Sequence, residues 1–460
     1  MSQTELSDNN PSQGQSNVSI VSEFIDNASF DRLPGEVVVK AKRCLLDFLG
    51  VALASKDLSA FTAGAGLLDA FGNSEDATVV GMSQQVPLLS AVWANSLLGS
   101  VMDLEDGYYP SIGHPASVVF PVVLPFAEKE GASPTELLTA TVIGYEICAR
   151  AGALMTRFYK ERSLGSGGSS VYGAAAAGGC LLKLDRAITE TALGIAGCYM
   201  PSIPVNKSIQ YQTTLKGGIP WGAFVGASAA LLARGGFSSP PATIQDPFRS
   251  EFDDSARPIL ATLGRSYEIL NVYFKRYPSC RWTHAALDAV ITILEEGLIQ
   301  PGEVETVEVE TFAEAARLAN YRPATLEGFQ FSIPYTVAVA LVVGKFTVQQ
   351  MSEKYLDDSD VQQMADKVRI TVDPRLDSMF PKKRPARVTV KTVDGKSITR
   401  EVVNVHGEPG SDFAEAGVEE KFLSLAGERV GEERAGQILH LVRDLDTVSS
   451  LEPLFELLRN

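Results

Sequence analysis

Two runs of small residues restrict the possible folds of this 460-residue chain more than any other feature. Gly173-Ala174-Ala175-Ala176-Ala177-Gly178-Gly179 and Gly222-Ala223-Phe224-Val225-Gly226-Ala227-Ser228 both sit inside apolar segments of helical texture. Small side chains let helix backbones approach closely, so these segments belong in the interior of a large helical bundle. Neither run follows a strand pattern, which a dinucleotide-binding fingerprint requires, so tight packing is the reading for the glycines. Helical spacing of apolar residues also runs through 36–55, 60–71, 87–102, 118–129, 135–157, 171–182, 186–196 and 221–234.

The texture changes after Ser266. Val304-Glu305-Thr306-Val307-Glu308-Val309-Glu310-Thr311 alternates with period two, as does Val368-Arg369-Ile370-Thr371-Val372. Two further alternating runs, 387–393 and 397–403, flank Asp394-Gly395-Lys396, a hairpin signal. Helical patterns at 283–297 and 334–344 lie among these strands, and 418–458 is helical again. The expected architecture is mainly α: a large all-helical domain (18–266) and a smaller α+β lid domain (267–404). Helices of 405–460 then return to the first domain. Such a length exceeds what one hydrophobic core usually serves. Residues 1–17, rich in Ser, Gln and Asn, read as a disordered tail.

Hydrophobic content of 45% with 21% charged residues is that of a soluble globular protein, and a net charge of −16 argues against nucleic-acid binding. An anionic substrate therefore needs a local positive pocket. Segment 86–101 is interrupted by polar residues and 221–233 is too short to span a bilayer, so no membrane partner is expected. The first residues lack a basic, then apolar, leader, and a cytoplasmic location is the simplest expectation. Cys44, Cys148, Cys180, Cys198 and Cys280 are far apart without metal-ligand spacing, and read as buried reduced thiols. Cys280 stands among Lys275, Arg276 and Arg281, which are placed to lower a thiol pKa.

The chemistry concentrates in Met102-Asp103-Leu104-Glu105-Asp106-Gly107-Tyr108-Tyr109-Pro110-Ser111-Ile112-Gly113-His114-Pro115. Three carboxylates, two tyrosines and one of four histidines lie there between apolar segments. Unpaired buried carboxylates are costly, so the run predicts a pocket. Pro115 holds His114 on a restrained turn, where a tuned imidazole is useful. His284 begins a helix near a basic run, whereas His406 reads as a solvated loop residue and His440 as an ordinary helix-face residue. Lys216 stands alone before a small-residue helix, either as a surface lysine or as an anion anchor. Lys275-Arg276-Tyr277-Pro278 opens the second domain, and Tyr335 is positioned to cap the cleft. Gly165-Ser166-Gly167 lacks the preceding strand that a nucleophile elbow needs, which weakens a serine-hydrolase reading.

With these residues in view, the chain resembles the 2-methylcitrate dehydratase (MmgE/PrpD) family. The resemblance rests on Leu33-Pro34 through Leu46-Asp47-Phe48-Leu49-Gly50-Val51, then Ala94-Asn95, the Asp103-to-Asp106 run and Gly113-His114-Pro115. Leu193-Gly194-Ile195-Ala196-Gly197, Lys216-Gly217, Phe274-Lys275-Arg276-Tyr277-Pro278-Ser279-Cys280 with His284, and Phe331-Ser332-Ile333-Pro334-Tyr335 follow in the family's order. It implies a helical domain, a lid, a cleft active site between them and a homodimer. It implies no obligatory metal or organic cofactor.

Carried over residue by residue, it implies Asp103, His114, Lys216, Lys275 and Tyr335 as catalytic positions. Arg276, Arg281, His284, Tyr108 and Ser166 are the candidate substrate-binding positions, while Glu105 and Asp106 are read as shaping the loop. Three departures stand out. Gly107 occupies a place usually held by Thr, and an extra residue precedes the His-Pro. Leu164-Gly165-Ser166-Gly167-Gly168-Ser169-Ser170 replaces a segment that usually carries a second histidine, and it reads as a mobile loop. Lys216-Gly217-Gly218-Ile219 replaces a Lys-x-Leu-His pattern. The expected activity is a lyase on a small polycarboxylate, first a dehydratase. Decarboxylase, epimerase or cyclase-type relatives are the alternatives, and a non-catalytic dimeric scaffold is the rival from another class.

Overall fold

A computed structural model describes residues 16–459 apart from 73, 163–164, 241 and 243–255. Most of the tail, 1–15, lies outside the described residues, and Asn17 already opens a helix, Asn17–Asn27. The chain folds as a mainly helical protein with a small sheet domain.

The small-residue runs pack as their composition requires. Gly173, in the helix Gly167–Leu181, lies against the Gly144 carbonyl and Cys148 of Pro134–Arg162. Gly226, in Ile219–Arg234, lies against Ala174 and the Val171 carbonyl. A methyl group at either glycine would overlap the neighbouring helix, so these three helices approach as closely as backbones allow. Residues 134–156 form a helix long and apolar enough to cross a membrane, but nearly all of it is buried inside the protein as a core element.

The helix Ala116–Glu130 carries Pro121 and Pro125 in its interior. A helical proline leaves the carbonyl four residues earlier without its amide partner. For Pro121 that carbonyl is Ser117, and the Ser96 hydroxyl donates to it at 2.5 Å. The buried helix therefore keeps its proline without an orphaned backbone acceptor there.

The sheet runs in the order Val368–Val372, Val304–Thr311, Ala386–Thr392, Ser397–Val402. The first pair is parallel, with Val307 opposite Val368, and the other two are antiparallel. A parallel pair needs a long crossover, and here it includes the helix Ile333–Val343. Ser332 starts that helix by accepting from the Tyr335 amide at 3.0 Å. Gly395, at φ 88°, makes the turn between the last two strands.

The closing helices Val418–Val430, Glu432–Arg443 and Glu452–Leu458 bury Phe422, Ile438, Leu454 and Phe455 in the same core as Phe48 and Phe120 of the helical domain. The sheet has its own core, built on Val307, Val388, Phe312 and Val337.

Candidate active site

The helix Leu88–Ser100 ends just before the acid run, and Asp103 turns the chain with a left-handed φ of 52°. Gly107 pairs with Tyr273 through both backbone groups, at 3.0 and 2.9 Å, and Tyr108 pairs with Gly113 to close the loop. Ile112 takes φ 50° at the loop tip, after which His114-Pro115 feeds the next helix. The loop is therefore anchored at once to the helical domain and to the segment that opens the sheet domain.

Lys275 enters from that segment. Its ammonium donates to the Asp103 carboxylate at 2.7 Å and to the Asp103 carbonyl at 2.9 Å, with both side chains at least nine-tenths buried. Burial pushes the Asp103 carboxyl up, but the Lys275 and Lys216 ammoniums outweigh it and bring it below the usual range. Burial opposes the Lys275 charge, and Asp103 and Glu105 more than restore it.

His114 is held neutral. Its Nδ1 lies 2.8 Å from the Asp106 carbonyl, which can only accept, so Nδ1 carries the ring proton and Nε2 is the free base. Burial, reinforced by Lys275, lowers the imidazole pKa to about 4. The His114 side chain keeps 20% of its surface open, against 1% for Glu105.

Glu105 belongs to the same group, with Oε1 3.6 Å from His114 Nδ1. Burial raises its pKa to about 8 despite the nearby Lys275. Among the described residues, Glu105 Oε2 and Asp103 Oδ2 are buried with no hydrogen-bond partner. Asp106 shapes the loop as expected: Oδ1 accepts from the Ala116 amide at 3.0 Å and Oδ2 from the Tyr145 hydroxyl at 2.7 Å. Burial raises Asp106 to about 7.

Lys216 comes from a third direction, with left-handed φ angles at Lys216, Gly217 and Gly218. Its ammonium donates to the Gln330 side chain, whose own amide donates to the Val101 carbonyl at 2.9 Å. Burial lowers the Lys216 pKa, and Asp103 and Glu105 are among the charges acting on it. Asp103, Glu105, His114, Lys216 and Lys275 thus form one electrostatic unit. Asp103, Glu105 and His114 offer ligand atoms within 4.8 Å of one another, a spacing open to a cation. The Lys275 ammonium already supplies the positive charge at Asp103.

Several expectations are corrected. Tyr335 does not cap the cleft: it is fully buried in the sheet-domain core, its hydroxyl 2.7 and 2.8 Å from the Tyr355 and Leu356 carbonyls. Gln330, one residue before the quoted Phe331-to-Tyr335 segment, is the group that reaches Lys216. Arg276 turns to the surface near Glu295 at 3.9 Å. Arg281 is buried and committed to Glu408 at 2.9 Å, the His406 carbonyl at 2.8 Å and the Tyr109 hydroxyl at 3.0 Å. His284 is buried against Arg281 and the Ser279 carbonyl, and burial holds it well below the usual histidine range. Tyr108 points into the helical core, donating to Glu268 at 2.6 Å. His406 is not merely solvated, since its ring lies 3.0 Å from Asp288. Burial pushes the Cys280 thiol up to about 12, opposite to the basic-cluster expectation, and Cys198 is exposed.

The segment around Ser166 is also corrected. Leu164 lies outside the described residues, but Gly167 already begins a helix. Gly165 and Gly167 lie directly on the carbonyls of Gly217 and Gly218, where any side chain would overlap backbone. Two departures from the family pattern are therefore one contact between glycine-rich segments. Ser166 sits beside Gly113 and Gly217, at the edge of the group rather than within it. Gly107 is explained similarly, because a side chain there would overlap the Tyr273 ring.

Behind the loop, Lys421 of the returning helices donates to Asp47 at 2.6 Å and to the Leu104 carbonyl at 2.8 Å. No motif in the sequence pointed to that pair.

A helical domain and a small sheet domain joined around lysines, carboxyls and a neutral imidazole have the equipment of an acid–base enzyme. Residues 19–249 match the MmgE/PrpD N-terminal domain and residues 277–447 the MmgE/PrpD C-terminal domain. The chain belongs to the MmgE/PrpD family and is an enzyme family member of lyase type. A cis-aconitate decarboxylase of Aspergillus terreus is 25% identical over 475 residues, covering 95% of this chain and 94% of that protein. A second, from Aspergillus terreus strain NIH 2624 / FGSC A1156, is 25% identical over 476 residues with the same coverage.

Proposed function

We propose that this chain is a hydro-lyase acting on a small polycarboxylate, removing a proton from a carbon next to a carboxylate and expelling water. The observation that carries the reading is His114, neutral and with its Nδ1 proton committed to the Asp106 carbonyl, so that Nε2 is available as a base. Lys216 and Lys275 supply two positive charges against the one carboxylate of Asp103. The group therefore favours an anionic substrate despite the chain's net charge of −16. Each ammonium placed on a developing enolate oxygen contributes on the order of a few kcal/mol to the transition state.

Decarboxylation is the second reading, favoured by the two relatives named cis-aconitate decarboxylase that align along nearly the whole chain. Proton NMR in deuterated water with citrate, methylcitrate, cis-aconitate and an iminodisuccinate-type diacid separates the outcomes. The expected result is loss or addition of water with deuterium entering next to a carboxylate, reduced about 10²–10⁴-fold in His114→Gln. Release of carbon dioxide selects the second reading. Inertness toward all four, or full turnover in His114→Gln, would overturn the assignment.

A further inference from the structure

Loss of hydroxide from carbon needs a proton donor at the departing oxygen as well as a base at the carbon. The neighbouring segment Gly165-Ser166-Gly167-Gly168-Ser169-Ser170 holds no ionisable side chain, and Gly165 and Gly167 are packed against backbone. Ser166 supplies no proton donor of suitable acidity.

From the geometry we infer that Glu105 is the proton donor of the reaction. Its carboxyl is 1% exposed, with Oε1 3.6 Å from His114 Nδ1. Its second oxygen is buried with no hydrogen-bond partner among the described residues. An ionised carboxylate in that state would be strongly disfavoured, whereas a protonated one presents a hydroxyl ready to donate. The nearby Lys275 ammonium opposes this, but its hydrogen bonds go to Asp103 and burial prevails. Burial keeps Glu105 protonated up to about pH 8.

This role rests on the hydro-lyase reading. His114 Nε2 takes the proton from carbon, the C–H electron pair moves into the neighbouring carboxylate as an enolate, and that pair then forms the new double bond. The C–O bond breaks with its electron pair on oxygen, and Glu105 gives its proton to that oxygen, which departs as water. The Nε2 proton then passes to bulk water, and water returns one to Glu105. The groups facing Glu105 are Asp103 and His114 on its own loop, Lys275, Lys216, and Lys421 with its partner Asp47; Asp106 follows it in sequence.

The test is Glu105→Gln, a neutral replacement for a neutral group, with Glu105→Asp beside it and melting curves verifying the fold. In deuterated water, elimination by Glu105→Gln should fall about 10²–10⁴-fold. Deuterium exchange next to the carboxylate, which needs only His114, should stay within about tenfold of wild type. Wild-type turnover should decline above about pH 8, where Glu105 loses its proton, and the residual Glu105→Gln rate should lack that decline. Glu105→Asp should recover part of the elimination rate together with the decline. Parallel loss of exchange and elimination, or unimpaired elimination in Glu105→Gln, overturns the role while leaving the hydro-lyase reading intact. A wild-type enzyme that only releases carbon dioxide, or does neither, overturns both.

Discussion

The acid loop, 103–114, and the basic segment, 274–284, contribute equally charged residues to the same domain boundary, yet they are built differently. In the loop, Glu105 Oε2 and Asp103 Oδ2 have no hydrogen-bond partner among the described residues, and the His114 proton sits on Nδ1, leaving Nε2 the basic nitrogen. In the basic segment, Arg281 is committed to a carboxylate, a carbonyl and a phenol, and His284 is held between Arg281 and Ser279. Lys275 crosses from the second group to the loop's carboxylates, whereas Arg281 reaches only the loop's Tyr109 hydroxyl. A buried charge whose bonds are all internal holds the fold together. A buried polar group with an unused bond has capacity left for a substrate.

That contrast breaks if the two cations behave alike on removal. Lys275→Met leaves Asp103 buried beside Glu105 with its closest cation gone, and turnover should fall by about a hundredfold or more in the folded protein. Arg281→Met instead removes the link among Glu408, His406 and Tyr109, and should cost about 3–5 kcal/mol of stability. Below its melting temperature that variant should keep turnover within about tenfold of wild type. Thermal denaturation beside steady-state rates reads both, and an Arg281→Met enzyme that is folded but inactive would move Arg281 into the site.

A smaller effect sharpens the role of the join between the regions. Gly107 and Tyr273 exchange both backbone hydrogen bonds, and the Tyr273 ring covers the space a side chain at 107 would need. Gly107→Ala should therefore lose about 1–3 kcal/mol in denaturant melts, the usual cost of overpacking. An unchanged midpoint would mean that the loop and the sheet domain are not held together there.

Periodicity and small-residue density made the architecture legible, because those signals report burial directly. The strands near 304, 368, 387 and 397 and the small-residue helices all form where the pattern placed them. The site was legible only in part. Asp103, His114, Lys216 and Lys275 come together, but Tyr335 and Arg281 were chosen by residue type, and type cannot distinguish a satisfied group from an unsatisfied one. Gln330 and Lys421 were missed because their contacts span 114 and 317 residues, to Lys216 and the Leu104 carbonyl. Glu105 was undervalued because its meaning lies in the absence of a partner, which only three dimensions reveal.

The central claim is that His114 is a neutral base with its proton on Nδ1. With four histidines in the chain, selective ¹⁵N-histidine labelling and NMR across pH 4–8 report it directly, with His114→Gln assigning the signal. The signal should show an Nδ1-protonated neutral ring that gains its second proton only near pH 4. A His114 ring titrating near the ordinary 6.5, or carrying its proton on Nε2, would contradict the proposed base.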